Sequence, residues 1–342
     1  TEAFDDCDLV PKILANVGKP DLSTTVFGRK ISMPIFLSPA AMQRLYHPEG
    51  DKASARAAEK FNTFYSMSTM SNNSIEQIAN LSSGPKLFQL YIHKDQSITD
   101  DLIDRCKRAN FDGLCLTVDT IVAGNRERDH RTGFTTPPKL TLKSLFSFAI
   151  KPKWVFDYLT NEKFELSNVK NKTDKGTNIT KSVIEYINEQ YDPGMNWSDA
   201  EYVVKRWDKP FAIKGVMSVE DAKRAVDIGC TAIMISNHGG RQLDGSRSPF
   251  DQIKLISDAV GDKVDIILDG GVRRGTHVLK AIAAGAKACS FGKAFLFSLS
   301  AGGQKGVEKL LQNMHDEIQR NMILMGCKNL KDLNYSRLIF RR

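Results

Sequence analysis

The segment Ser236-Asn237-His238-Gly239-Gly240-Arg241 sets a base beside an anion clamp. An imidazole removes a proton near neutral pH, and a guanidinium holds a carboxylate through two parallel hydrogen bonds. A lone histidine is more often structural than catalytic. This one follows an apolar run, is flanked by glycines that let a ligand approach, and stands three residues before Arg241. Asp119 ends the run Leu114-Cys115-Leu116-Thr117-Val118. It either caps the next segment of chain or orients His238 and stabilises the imidazolium, as a carboxylate does in serine hydrolases. No nucleophile motif accompanies the pair, which disfavours acyl transfer. Arg126, Arg128 and Arg131 come next in a charged stretch that reads mainly as solvated ion pairing, with room for one guanidinium to point inward.

Lys214 ends another apolar run, and an ammonium there is costly unless something negative lies opposite. Schiff-base chemistry and stabilisation of an anionic cofactor both fit it. Asp269-Gly270-Gly271-Val272-Arg273-Arg274-Gly275 and Gly292-Lys293 have the makings of a phosphate site. Glycines expose backbone N–H groups, a helix start adds partial positive charge, and Arg or Lys completes the pocket. The phosphate belongs either to a substrate or to a cofactor. The six histidines show no spacing suited to a metal.

These groups need a frame that brings distant segments to one rim. Apolar runs at Pro34–Ser38, Thr63–Ser68, Lys86–Ile92, Gly113–Asp119, Phe211–Gly215, Ala232–Ser236, Val264–Asp269 and Ala288–Gly292 read as strands. Helical patterns separate them, among them Gly50–Phe61, Gln96–Ala109, Ser198–Trp207, Ser218–Ile228, Arg274–Ala284 and one around Val307–Met325. Eight strands alternating with helices predict a single (β/α)₈ TIM barrel over 1–342 rather than a doubly wound sheet. The strand ends are polar or small throughout: Ser38-Pro39-Ala40-Ala41, Ser68, Gln89 with Tyr91, Thr117 with Asp119, Lys214, Ser236 to His238, Asp269 to Gly271, and Gly292-Lys293. A barrel that was only a scaffold would not need that at one rim. Between the fourth and fifth strands, 120–197 form a long insertion with Pro137-Pro138, Lys151-Pro152 and the polar stretch Asn168–Thr180. A connection of that length is functional or partly disordered.

Bulk composition narrows the partners. With 48 basic and 40 acidic residues the net charge is +8, which suits anionic substrates or an anionic membrane surface; no nucleic-acid motif accompanies it. No run approaches the roughly 18 apolar residues of a membrane span, and the acidic opening Thr1 to Val10 does not read as a signal peptide. Six cysteines without C-x-x-C spacing imply buried thiols and a reducing, cytoplasmic compartment.

The elements S-N-H-G-G-R-Q-L-D at Ser236–Asp244 and L-D-G-G-V-R-R-G at Leu268–Gly275 closely resemble the FMN-dependent 2-hydroxy acid dehydrogenase and oxidase family, and the likeness runs from about Phe4 to Leu333. The resemblance implies FMN as cofactor. It implies that Pro39, Ala40 and Ala41 lie against the flavin ring, that Ser68, Gln89 and Thr117 bond its edge, and that Lys214 stabilises its reduced form. Ser236, Asp269, Gly271, Arg273, Gly292 and Lys293 would hold the ribityl chain and phosphate. His238 would be the base paired with Asp119, Arg241 the carboxylate clamp, and Tyr91 and Arg126 the contacts to the substrate hydroxyl or forming carbonyl. A homotetramer is implied as well. Three departures stand out: Lys293 replaces the family's usual Arg, Met70 stands where relatives vary the substrate pocket, and the first tyrosine is Tyr46. Relatives open with helices bearing another substrate-binding Tyr, so an amino-terminal family segment is expected to be missing.

The insertion, with Lys151-Pro152-Lys153-Trp154-Val155-Phe156-Asp157, is similar to that of respiratory lactate dehydrogenases, as is Arg126-Glu127-Arg128-Asp129. This implies L-lactate as substrate and a quinone or other respiratory acceptor. Over Leu140–Leu159 apolar and aromatic residues interleave with Lys143, Lys151 and Lys153, after Lys139. Such a segment either dips into the lipid interface at the inner face of the cell membrane or packs on the barrel or a neighbouring subunit. The rival readings are an oxygen-using oxidase of the same family, a non-redox phosphate-binding barrel such as an isomerase or aldolase, and an inactive barrel acting as a binding protein.

Overall fold

In the computed structural model, which describes residues 1–127, 131, 142–161, 165–169 and 189–341, the eight apolar runs close into a barrel. Three short strands come first: β1 (Cys7–Leu9), β2 (Thr24–Val26) and β3 (Arg29–Ile31). The barrel is β4 (Ile35–Leu37), β5 (Tyr65–Ser68), β6 (Lys86–Leu90), β7 (Gly113–Thr117), β8 (Phe211–Val216), β9 (Ala232–Ile235), β10 (Asp265–Asp269) and β11 (Ala288–Phe291). Each pairs in parallel with the next, and β11 returns to β4. Every barrel strand agrees with its predicted run within two residues at either end. Strands packed on both faces read as unbroken apolar runs, which is why they were legible.

The helices Gly50–Lys60, Gln96–Arg108, Trp197–Trp207, Val219–Asp227 and Gly275–Ala283 stand where periodicity put them. At Val219–Asp227 the Ser218 hydroxyl accepts from the Asp221 N–H at 3.0 Å and caps the helix. Ile75–Leu81, opened by a Ser74/Gln77 capping box, and Pro249–Val260 complete the ring. The last helix differs from expectation. It begins at Lys293, directly after β11, and runs to Leu324 with non-helical geometry at Gly302 and Gly303. The predicted helix around Val307 is therefore the second limb of a kinked one.

Two elements escaped the periodicity argument. The β2–β3 hairpin inserts Val26, Phe27 and Ile31 into the amino-terminal mouth of the barrel, beside Phe36, Phe64 and Met234. The Phe27 N–H donates to Asp265 at the start of β10 (3.3 Å), so this mouth is plugged and the opposite rim is left for chemistry. Strand β12 (Leu338–Phe340) pairs antiparallel with β1 and ties the chain ends together.

The insertion leaves after β7 and returns at Trp197. Arg128, Pro137-Pro138, Lys139, the Lys143 side chain and most of Asn168–Thr180 lie outside the described residues. The described parts contain helices Leu142–Ala149 and Pro152–Thr160 and touch the rim at three successive loops. The Trp154 indole N–H donates to the Leu45 carbonyl after β4 (2.8 Å). Ser167 donates its N–H to the Ser71 carbonyl (3.2 Å) and its hydroxyl to the Asn72 carbonyl (2.6 Å) after β5, where Asn168 also accepts from the Ile75 N–H at 3.0 Å. The Lys94 N–H donates to the Gln190 carbonyl (2.8 Å) after β6, beside a His93–Tyr191 bridge. The insertion is thus a strap across three adjacent loops.

The plug gives a direct test. Phe27→Ala should cost about 3–5 kcal/mol, the usual penalty for emptying a buried phenyl site. A lower urea midpoint with an unchanged far-UV spectrum is the expected result; an unchanged midpoint would show that the hairpin does not hold the barrel.

Candidate active site

At the carboxyl rim a cavity of about 610 Å³ gathers residues from every barrel strand or its following loop. Pro39, Ala40, Ala41, Ser68, Met70, Gln89, Tyr91, Thr117, Arg126, Lys214, His238, Arg241, Asp269, Gly271, Arg273, Gly292 and Lys293 all line it. Of the residues singled out from sequence, only Ser236 and Asp119 stand one layer behind.

Both supporting residues belong to one buried cluster. Asp269 is the acceptor for the hydroxyls of Ser38, Ser290 (2.6 Å) and Ser236 (2.7 Å), and for the Lys214 ammonium at 3.1 Å. Burial pushes its carboxyl up, but Lys214 and the three hydroxyls together outweigh burial and hold it at about 2. Lys214 also faces Asp119 at 4.0 Å and donates to Ser236 at 3.0 Å. Burial alone would lower the lysine; the two carboxylates keep it above its ordinary value. An ammonium locked in its charged form is no Schiff-base nucleophile, so of the two chemistries left open for Lys214 the electrostatic one fits.

Asp119 lies beyond β7 rather than within it and accepts from His238 Nδ1 at 2.8 Å, with the Thr120 hydroxyl 3.0 Å from the same oxygen and 3.2 Å from Nδ1. Burial would raise Asp119, but Lys214 and His238 hold it below its usual range. An ionised carboxylate only accepts, so Nδ1 carries the hydrogen and Nε2 keeps its lone pair. Burial, then Lys214, lowers His238 below 6.5 against the pull of Asp119, leaving a neutral ring at neutral pH. One ammonium and two carboxylates make the cluster net negative, so a proton arriving on His238 neutralises it. Backbone geometry reinforces the placement. His238 has φ +57, a left-handed conformation that costs a non-glycine residue of order 1–3 kcal/mol and is held where surroundings over-determine it. Gly215, at φ +113, lets the chain pass so close that a Cβ there would lie 2.9 Å from that of Asp119.

The opposite corner is cationic. Burial first, then Arg241 and Arg273, depress Lys293, and burial depresses Arg273. Cations converging on glycine backbones at Gly271 and Gly292 suit a phosphate. Two further polar atoms are buried at the cavity wall without a hydrogen-bond partner among the described residues: Gln89 Nε2 and Thr117 Oγ1. Buried orphans of that kind await a ligand, and a flat heteroaromatic ring with a polar edge supplies what they lack. The residues present therefore fit FMN, phosphate in the cationic corner and ring edge at Gln89 and Thr117.

On the remaining side Met70 is almost fully buried, and Met42, Leu45 and Tyr46 join it in the lining. Tyr91 is a neutral phenol, pushed up to about 12 by burial and the Asp119 carboxylate. Sequence reasoning passed over Ser290 and Thr120 as site residues. Small hydroxyls in or just after a strand carry no signal until the carboxylate they serve is placed.

Breaking the cluster should be costly. Lys214→Met leaves two buried carboxylates uncompensated, and removing one partner of a buried pair typically costs about 3–5 kcal/mol. A correspondingly lower denaturation midpoint is expected; wild-type stability would show that the ammonium is not the compensating charge.

A family model for FMN-dependent dehydrogenases matches residues 1–340. The chain is 38% identical over 328 residues to glycolate oxidase of Spinacia oleracea, covering 96% of this chain and 83% of the relative. It is 38% identical over 342 residues to an L-lactate oxidase of Nostoc sp., covering 97% and 87%. Among solved structures, that of the monotopic membrane protein (S)-mandelate dehydrogenase superposes with a TM-score of 0.93 at 31% identity, over 99% of this chain and 89% of the other. The chain therefore belongs to the FMN-dependent dehydrogenase family, a (β/α)₈ barrel whose cofactor is FMN.

Proposed function

We propose that the protein oxidises a small L-2-hydroxy acid, L-lactate first among them, to its 2-keto acid and passes the electrons to a membrane quinone. The observation that carries the reading is an imidazole, His238, hydrogen-bonded at 2.8 Å to the partly buried Asp119 carboxylate, in a cavity that Arg241, Gln89 and Thr117 also line. Oxidation of an alcohol carbon removes two electrons and two protons; FMN, when bound, would supply the sink for the electron pair and one of the protons. His238 Nε2 takes a proton, with Asp119 stabilising the resulting imidazolium. Arg241 holds the substrate carboxylate, Arg126 and the Tyr91 phenol reach the oxygen that becomes the carbonyl, and Lys214 keeps positive charge beside the flavin. Pro39, Ala40 and Ala41 back the ring, Ser68 orients Gln89 through a 3.1 Å bond, and Gly271, Arg273, Gly292 and Lys293 hold the phosphate. The apolar wall of Met70, Met42 and Leu45 favours a methyl substituent over none.

The insertion supports a membrane acceptor. Leu142, Leu145, Phe146, Ile150, Phe156 and Leu159 are exposed, beside the exposed Lys151 and Lys153. Phe148, Trp154 and Val155 turn partly inward, so the packing alternative accounts for that subset. Outward apolar side chains with flanking cations suit a helix pair lying in an anionic lipid interface at the inner face of the membrane. Among the described residues no helix is long and apolar enough to cross it. The oxidase reading has its own support in the relatives named oxidases.

His238→Gln should retain flavin yet slow its anaerobic reduction by L-lactate by about 10²–10⁴-fold, the usual cost of losing a general base. Because the base acts deprotonated, kcat/KM should fall as pH drops through a His238 value below 6.5, and that limb should vanish in the variant. Near-wild-type reduction by His238→Gln removes the assignment.

The acceptor is tested on lipid. Sedimentation with anionic vesicles, and faster turnover with a soluble quinone than with oxygen, are expected; paired Phe146→Ser and Phe156→Ser substitutions should release the protein. Equal soluble fractions with rapid peroxide formation would establish the oxidase.

A further inference from the structure

We infer that Tyr191, at the returning end of the insertion, is a positioning residue for Tyr91. This deepens the proposed function and rests on it only for the role of Tyr91. The two rings stack with centroids 4.6 Å apart at 28°. Tyr191 is 2% exposed, unusual burial for a large side chain on a connecting segment. Tyr191 also makes an edge-to-face contact with His93, centroids 5.6 Å apart at 87°. His93 is itself 1% exposed and lowered to about 4 by burial, so it stays a neutral ring and brings no charge into the stack.

Backbone contacts fix Tyr191 independently of its ring. The chain bridges antiparallel to His93, Lys94 Nζ reaches the Glu189 carbonyl (2.9 Å), and the Lys94 N–H reaches the Gln190 carbonyl. On the other side of the stack Tyr91 lines the cavity with His238 and Arg126. The phenol is therefore confined between the cavity and a ring that the insertion anchors to the β6 loop. A tyrosine side chain swings about two dihedrals, and a displacement of about 1 Å at a positioned group can cost 10²-fold in rate. Stacked aromatic rings hold a preferred offset at this separation, which selects one Tyr91 orientation from several. Tyr191 touches no substrate; it acts through Tyr91.

A double-mutant cycle tests this. Tyr191→Leu should raise KM for L-lactate, and the dissociation constant of pyruvate read from flavin absorbance, by about tenfold, with FMN content and melting temperature held near wild type. Tyr191→Phe, which keeps the stack, should stay within about twofold. In a Tyr91→Phe background Tyr191→Leu should add nothing, because the group it positions is already gone. A readout independent of substrate is the ¹⁹F resonance of fluorotyrosine at Tyr91, assigned by its loss in Tyr91→Phe. It should shift toward the solvent-exposed position in Tyr191→Leu. Additive effects in the cycle, or an unmoved resonance with unchanged KM, would overturn the inference. Failure of every 2-hydroxy acid to bleach the wild-type flavin would instead overturn the proposed reaction, and the fluorine shift would still decide the stack.

Discussion

One ammonium buried between two carboxylates sets the geometry of this rim. Lys214 on β8 can remain charged at 3% exposure only because Asp269 on β10 and Asp119 beyond β7 face it. Each carboxylate in turn stays ionised because Lys214 and a set of hydroxyls outweigh its desolvation. Ser38, Ser236 and Ser290 carry the hydrogen bonds outward to the ends of β4, β9 and β11. Six strand ends are thereby registered against one another by a single mutually dependent cluster. His238 inherits its tautomer, its neutrality and its strained backbone from the same arrangement, since Asp119 and Ser236 are both its partners. The imidazole is placed by electrostatics rather than by packing alone.

That dependence explains what the sequence disclosed. Barrel strands were visible because burial on both faces leaves short apolar runs, and the rim was visible because polar residues at their ends have no structural excuse. The pairing of Asp119 with His238 and the gathering of Arg273, Lys293 and the glycines were readable as chemistry, with the family resemblance supplying the roles. The β2–β3 hairpin was not readable: Thr24–Val26 and Arg29–Ile31 are three residues each, too short to show a period. The start of the last helix at Lys293 was hidden by Gly302 and Gly303, whose composition signals a break although the helix resumes beyond them. Ser290 gave no sign, because a serine inside a strand is interpretable only when its acceptor is known.

The insertion was legible as an interruption and opaque as a structure. Its aromatic and lysine content suggested an interface, yet only tertiary contacts separate inward residues such as Trp154 from outward ones such as Phe146 and Phe156. Trp154 is spoken for by the Leu45 carbonyl and by stacking on Phe148 and Tyr158. Local pattern cannot assign such a face when the segment crosses a rim instead of packing along a barrel wall.

The two halves of the cavity therefore differ in how expensive they are to change. One half is built on strand ends and buried charges, where removing one partner strands the others. The other includes the loops after β4, β5 and β6, held by the insertion through backbone hydrogen bonds, an indole N–H and a tyrosine stack. Each of those contacts is worth little more than about 1 kcal/mol net, so one can be exchanged without unravelling the rest. A barrel built this way ties its strand ends into one interdependent cluster, while Met70, Leu45, Tyr46 and the setting of Tyr91 rest on separable contacts. One strap thus both exposes an apolar face, at Phe146 and Phe156, and braces these loops, through Trp154, Ser167 and Tyr191, so the two duties fall on neighbouring residues of the same segment.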